Sequence, residues 1–136
     1  MTLYEGVTYV QVKKMPNYED EESVEEHYIE EEIHCQLYCE EHGIGVTAIF
    51  LSDETDDDLL DETVGYCCKS KEKSYPVDVL VVWKVPNLEY GTPGYTALKK
   101  KLSEYGIGLV SVPKNHKWGN PFETMQAEFV PRLLLK

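Results

Sequence analysis

The residues best suited to bind a metal lie in the first half of the chain, where Cys35, Cys39 and His42 recur at intervals of four and three residues. That spacing places their side chains on one face of a helix, and thiolates and imidazoles are ligands that zinc prefers. The spacing is not that of a zinc ribbon, however, and no second pair of ligands follows it. Because free cysteines also pack as small apolar residues, we expect Cys35 and Cys39 in the core and predict no metal.

Oxygen ligands are concentrated in the segment Asp53–Asp58, which reads DETDDD. Carboxylates bind Ca²⁺ and Mg²⁺, but this run lacks the spaced ligands, central glycine and closing glutamate of an EF-hand loop. We therefore expect it to be a solvated loop. The glycine-rich motifs GxGxxG and GxxxxGK[ST] do not occur, so no nucleotide or other cofactor is predicted.

The charge of the chain is strongly negative and unevenly distributed. Thirteen Lys and Arg residues oppose twenty-five Asp and Glu residues, which gives a net charge of −12. Residues 1–62 contain nineteen acidic residues and two lysines, whereas residues 63–136 contain six acidic residues, ten lysines and Arg132, the single arginine. Because binding to nucleic-acid phosphates depends on Lys and Arg, direct DNA binding is not expected.

The length of 136 residues is that of one domain. With 42% hydrophobic and 28% charged residues, the composition is typical of a soluble globular protein. No apolar run approaches the ~20 residues that cross a bilayer, and residues 1–6 have neither the basic start nor the apolar stretch of a secretory signal. We expect a cytoplasmic protein with no membrane partner, in which the cysteines remain thiols.

Runs of β-branched residues predict strands, and apolar residues at helical spacing between Gly and Pro breaks predict helices. The predicted strands and helices alternate along the chain. The third strand shows no alternation, as expected of a strand covered on both faces. This order favours an α/β fold, a single doubly wound, mostly parallel sheet of four to five strands with helices on both faces. The expected elements are strand Thr8–Val12, helix Glu21–His42, strand Gly45–Leu51, helix Thr63–Lys73, strand Val77–Val85, helix Pro93–Tyr105, strand Ile107–Val112 and helix Phe122–Leu135.

In such a sheet, ligands bind in the crevice beyond the carboxyl ends of the strands. The loops that follow the predicted strands are therefore the places where chemistry is expected. These loops are Lys13–Asp20, Ser52–Asp58, Pro86–Gly91 and Pro113–Asn120.

Four segments resemble the catalytic domain of the serine recombinase (resolvase/invertase) family: TYVQV, YCEEHGIGV, DVLVVWKV and LSEYGIGLVSV. The resemblance covers nearly the whole chain, from about Thr8 to about Phe129, and DVLVVWKV followed by an Asn–Leu pair is its most specific part. It implies the family's catalytic-domain fold. It also implies descent from enzymes whose serine attacks a DNA phosphodiester and forms a phosphoserine bond.

The resemblance also implies that the catalytic residues are replaced. Gln11 and Lys13 stand where active members carry an arginine and the nucleophilic serine. Asn87 and Tyr90 stand where two arginines follow the third strand, and Thr63 where another arginine precedes a Pro-Gly-Phe segment. An exposed lysine is protonated at neutral pH, so Lys13 has no lone pair with which to attack a phosphate. We expect that the protein is not an enzyme.

The resemblance concerns two further features of the family. A glutamine of its first helix corresponds to Glu31 when counted back from Gly43, and to His27 when counted forward from Ser23. Members of the family continue from a long last helix into a DNA-binding domain, and the resemblance implies that this domain is missing here. We expect residues 1–136 to form one resolvase-like domain.

The function implied by the resemblance is association with other proteins, because the family's catalytic domains associate largely through the last helix. We expect a homo-oligomer, or a complex with an active recombinase that modulates site-specific recombination in a phage or other mobile element. Two alternatives remain open: an acidic mimic of nucleic acid that occupies a basic protein, and the truncated catalytic domain of a longer DNA recombinase. The apolar face expected at the interface consists of Phe122, Met125, Phe129 and Leu133.

Overall fold

The structure, a computed structural model, describes residues 3–12, 21–53, 58–72 and 76–113. Within these ranges, strands and helices alternate, and the four strands form one parallel sheet in the order β2-β1-β3-β4. The predicted α/β fold with a doubly wound parallel sheet is therefore confirmed. The elements are β1 (Tyr4–Val12), α1 (Glu21–Glu41), β2 (Ile44–Asp53), α2 (Asp58–Lys69), β3 (Val79–Trp83), α3 (Pro93–Ser103) and β4 (Gly108–Val112).

The core consists of two apolar layers, one on each face of the sheet. Successive side chains of a strand point to opposite faces. Val81 of β3 lies in one cluster with Cys35 of α1, whereas its neighbour Leu80 lies in a second cluster with Val64 of α2 and Leu98 of α3. All five residues of β3 are buried, as the unbroken apolar run predicts for a central strand.

The helix ends follow the predicted local chemistry. Gly43 and Gly106 lie just beyond α1 and α3, each with a φ of 71°, a left-handed conformation that glycine adopts without steric cost. At the start of α3, the hydroxyl of Thr92 accepts a hydrogen bond from the backbone N–H of Tyr95 at 3.2 Å. Pro93 occupies the first helical position, where its missing N–H costs nothing.

Several boundaries differ from the predicted ones. Helix α2 begins at Asp58 and not at Thr63, so the expectation of a solvated loop is wrong for Asp58. The reason is electrostatic, because Asp58 and Asp61 in the first turn interact favourably with the positive end of the helix dipole. Strand β1 begins at Tyr4 and β3 ends at Trp83. The predicted loop Lys13–Asp20 and helix Phe122–Leu135 lie outside the described residues.

Candidate functional site

The candidate site lies where the winding of the sheet reverses, between the central strands β1 and β3. The connection from β1 leads outward to β2, and the connection from β3 leads in the opposite direction to β4. Such a switch point opens a crevice at the carboxyl ends of the two central strands. Val10 is the register partner of Trp83, so Gln11 and Lys84 are the next residues on either side of this crevice.

Glu31 of α1 joins the helix to the end of β3. The indole Nε1 of Trp83 donates a hydrogen bond to Oε2 of Glu31 at 2.6 Å. The Nζ of Lys84 lies 3.6 Å from the same oxygen, with 25% of the Lys84 side chain and 18% of the Glu31 side chain exposed. That Nζ also lies 5.3 Å from the centre of the Trp83 ring, within the range of a cation–π interaction. One carboxylate thus binds both an indole and an ammonium group.

Aromatic packing fixes the position of Trp83. The residue is 1% exposed, and its ring meets the ring of Tyr38 edge-on, with centroids 5.9 Å apart. Tyr38 in turn contacts His42 at 4.6 Å between centroids. The three rings form a continuous layer between α1 and β3, so the indole N–H is held in place to meet Glu31.

The backbone of Lys84 is unusual. Its φ is 56°, and it is the one residue other than glycine with a positive φ in the described part of the chain. A non-glycine residue in this region costs about 1–3 kcal/mol unless its surroundings hold it there. The Lys84 N–H donates to the carbonyl of Val112 at 2.9 Å, and Leu88 N–H donates to the carbonyl of Val85 at 3.0 Å. These bonds lead the chain from β3 into the short 3₁₀ turn Pro86–Leu88.

The structure brings two of the predicted catalytic positions to this edge of the sheet. Gln11 is half-buried near the end of β1, and Asn87 is exposed in the turn after β3. The backbone carbonyl of Asn87 accepts a hydrogen bond from the hydroxyl of Thr92 at 3.0 Å. Neither side chain carries a charge, so neither can replace a guanidinium group.

The remaining predicted positions are placed differently. Thr63 is fully buried in α2, where its hydroxyl donates to the carbonyl of Leu59 at 2.7 Å. Tyr90 is 65% exposed and packs edge-on against Tyr95, with ring centroids 5.5 Å apart. Lys13 lies outside the described residues, as do the expected interface residues Phe122, Met125, Phe129 and Leu133.

Trp83 and Lys84 are the site residues that sequence reasoning does not single out. The signal that could have found them is their place at the end of the apolar run VDVLVVWKV, where a central strand reaches the carboxyl edge. Glu31 is one of the two positions that the sequence resemblance assigns to a glutamine of the first helix. Its bond to Trp83 spans 52 residues of sequence, a pairing that no local pattern indicates.

All four cysteines are free thiols, and Cys35, Cys39 and Cys67 are buried. A hydrogen bond with the side chain of Cys39, followed by burial, raises the pKa of Cys35 well above its usual value. Burial, followed by the neighbouring Cys68, raises the pKa of Cys67 to about 12. Metals bind the thiolate and not the thiol, and among the described residues no group of three or more His, Cys, Asp or Glu could hold an ion.

The uneven charge of the sequence becomes an uneven charge in space. Helix α1 contains nine glutamates and no Lys or Arg, and it packs on β1 and the edge strand β2. Helix α3 contains Lys99, Lys100 and Lys101 and no acidic residue, and it packs on the opposite edge strand, β4. The most acidic helix and the most basic helix therefore pack on opposite edge strands of the sheet.

Comparisons with known proteins give no further guide. No protein-family model matches the chain, and neither a curated protein nor a solved structure matches it. Among the described residues, no helix is both long enough and apolar enough to cross a bilayer.

Proposed function

We propose that this protein is a catalytically inactive, serine-recombinase-like domain that acts through protein–protein association and modulates site-specific DNA recombination. The observation that carries the proposal is the carboxylate of Glu31 beside the ammonium of Lys84 at the switch point, 3.6 Å away. Among the described residues, a phosphodiester bound in this crevice would meet an ion pair without net charge, where an active enzyme needs unpaired positive charges. Lys84 is the cation that the described residues place at this edge, and Glu31 already neutralises it.

The chemistry of phosphoryl transfer explains why this matters. The transition state spreads negative charge over the phosphate oxygens, and donors held in place beforehand stabilise that charge. Removing one such donor typically lowers the rate ~10²–10³-fold. Here the resemblance assigns neutral residues to four arginine positions: Gln11, Thr63, Asn87 and Tyr90. The combined loss would leave no useful rate even if a nucleophile were present.

Association is the function that remains for such a domain. The resemblance supports an interface on the apolar face Phe122, Met125, Phe129 and Leu133, with a second copy or an active recombinase as the partner. Burial of one large apolar side chain is worth roughly 1.5–3 kcal/mol. An interface of this kind should resist salt, because salt screens exposed charges and hardly affects apolar contacts.

The absence of catalysis is tested with supercoiled DNA. The wild-type chain should neither cleave it nor form a covalent protein–DNA adduct. The variant Lys13→Ser restores the hydroxyl alone, so it should remain inactive because the arginines are still missing. An authentic active recombinase serves as the positive control. A phosphoserine adduct formed by the single variant would refute the proposal.

The association is tested by sedimentation of the wild type and of Phe129→Asp at low and high salt. We expect wild-type oligomers that persist as salt rises through about 0.5 M, where screening acts over only a few ångströms. The variant should be monomeric. If the wild type is monomeric under all conditions, the experiment is repeated with an active recombinase, and failure of that complex would remove the proposal.

An acidic mimic of nucleic acid is a second candidate, favoured by the nine glutamates of α1, a helix that contains no Lys or Arg. Such a mimic would bind a basic protein through this helix, and binding would fall steeply with salt. Substituting Glu40 and Glu41 by glutamine, both exposed at the end of α1, would then weaken binding. The association proposal expects no such effect on the oligomer.

A further inference from the structure

Helix α1 has an apolar stripe on the face that points away from the sheet. Ile33 is 50% exposed and Leu37, one turn later, is 41% exposed. The two side chains lie opposite Cys35 and Cys39, which are buried against the sheet. In an α-helix that covers one sheet, this outward face is normally polar. Helix α1 is thus apolar on both faces, and only the inner one has a partner among the described residues.

The surroundings of the stripe are acidic. Glu40 and Glu41 are exposed in the last turn of α1. The helix contains no Lys or Arg, so no glutamate has one of these cations three or four residues away, the spacing at which ion pairs usually stabilise a charged helix. A surface of this composition attracts positive charge and repels a second copy of the same helix.

We propose that the outer stripe of α1 is a docking site for a basic amphipathic helix of a partner protein. The leucines of such a helix would cover Ile33 and Leu37, and its lysines or arginines would face Glu40 and Glu41. In such a contact between two helices, the apolar anchors supply affinity and the flanking charges supply orientation. The inference rests on the proposed association function, and it names a second surface distinct from the last helix.

The site is tested by measuring the binding of synthetic peptides to the full chain. The probe is a peptide of about 18 residues, long enough to form a helix on binding, with leucines at helical spacing on one face and lysines on the other. The control peptide has the same composition with its leucines distributed around the helix. Both carry the same charge, so a difference between them reports the apolar contact. We expect the control peptide to bind at least tenfold more weakly.

The stripe is tested by the double variant Ile33→Ala and Leu37→Ala. Alanine is the best helix former and both positions are exposed, so α1 should remain folded, which circular dichroism verifies. We expect the probe peptide to bind the double variant about tenfold more weakly than the wild type. Ile33 and Leu37 are each about half exposed, so together they offer the peptide about as much apolar area as one fully exposed side chain, and losing that area weakens binding by about this factor. Tyr105→Ala removes a side chain that is 47% exposed at the end of α3, on the other face of the sheet, and should leave binding unchanged within twofold.

Four results would overturn this inference. Equal binding of the two peptides would show an attraction of charge alone, and unchanged binding to the double variant would place the site elsewhere. A wild-type dimer that the double variant converts to a monomer would make a second copy the occupant. If the peptide does not bind but the oligomer still forms and still depends on Phe129, this inference alone is refuted. A protein–DNA adduct formed by the wild type would refute the proposed function and leave the peptide result standing.

Discussion

Replacing Glu31 by alanine tests whether the carboxylate that joins α1 to β3 stabilises the fold. The main loss is the hydrogen bond from Trp83 Nε1, whose length of 2.6 Å is typical of a bond to a charged acceptor. Such bonds contribute ~1.5–3 kcal/mol, and the buried indole N–H would be left without its acceptor. The ion pair with Lys84 is partly exposed and adds about 0–1 kcal/mol. Alanine gains a few tenths of a kcal/mol in helix propensity.

The expected net effect is a decrease of about 2 kcal/mol in the free energy of unfolding. It is measured by urea denaturation followed by circular dichroism. Glu31→Gln keeps an oxygen acceptor but loses the charge, so it should cost about half as much. Lys84→Met leaves the hydrogen bond in place and removes the ion pair and the cation–π contact with Trp83. It should lower the free energy of unfolding by about 1 kcal/mol. Comparison of the three variants separates the hydrogen bond from the ion pair.

Glu40→Ala is the matched control, because Glu40 is an exposed glutamate of the same helix. Its effect should lie within about 0.5 kcal/mol of zero. If Glu31→Ala were no more destabilising than this control, the carboxylate would have no structural role. Glu31 would then lie in the crevice without stabilising the fold.

Three other perturbations have predictable outcomes, each followed by chemical denaturation. Gly94→Ala places a Cβ 2.4 Å from the carbonyl oxygen of Asn87 and should lower the free energy of unfolding by about 1–3 kcal/mol. Gly65→Ala, where no atom lies close to the new Cβ within α2, should raise it by about 0.5–1 kcal/mol. Equal effects of the two variants would contradict this prediction. Thr92→Ala removes the N-cap of α3 and should cost about 1 kcal/mol; an unchanged urea midpoint would show that the cap is dispensable. The pKa of Cys67 is raised by burial from 9.0 to about 12. The neutral Cys67 thiol therefore stabilises the folded state fully below pH 9, and this stabilisation is lost as the pH rises towards 12. If a Cys67→Ala variant lost as much stability above pH 9 as the wild type does, ionisation of Cys67 would not be the cause of that loss.

The sequence predicts the regular part of the fold well, because each element carries its own local signal. The unbroken run in β3 predicts burial on both faces, and Thr92 with Pro93 predicts the start of α3. The parallel order follows from alternation of strands and helices. The start of α2 at Asp58 is missed because an acidic run is typical both of a solvated loop and of a helix N-terminus.

The geometry of the site could not be predicted in the same way. Lysine rarely adopts a positive φ, so nothing local indicates the conformation of Lys84. That conformation depends on the bond from its N–H to Val112 of a neighbouring strand. The contact between Glu31 and Trp83 likewise exists only once α1 has packed on the sheet. Both features are tertiary, and they decide what the crevice can bind.

The stability of this fold and the chemistry of its carboxyl edge depend on different residues, so the edge can change while the fold remains stable. The residues of β3 and β4 are all buried, whereas Gln11 and Asn87 are half-buried or exposed at the carboxyl edge, where substitutions cost little stability. An active edge must hold charged groups ready for a phosphate, which leaves them incompletely paired in the free protein. Here Glu31 pairs with both Lys84 and Trp83. An anion entering the crevice would have to displace that carboxylate and leave the indole N–H without an acceptor, so the contacts that stabilise this edge also oppose phosphate binding.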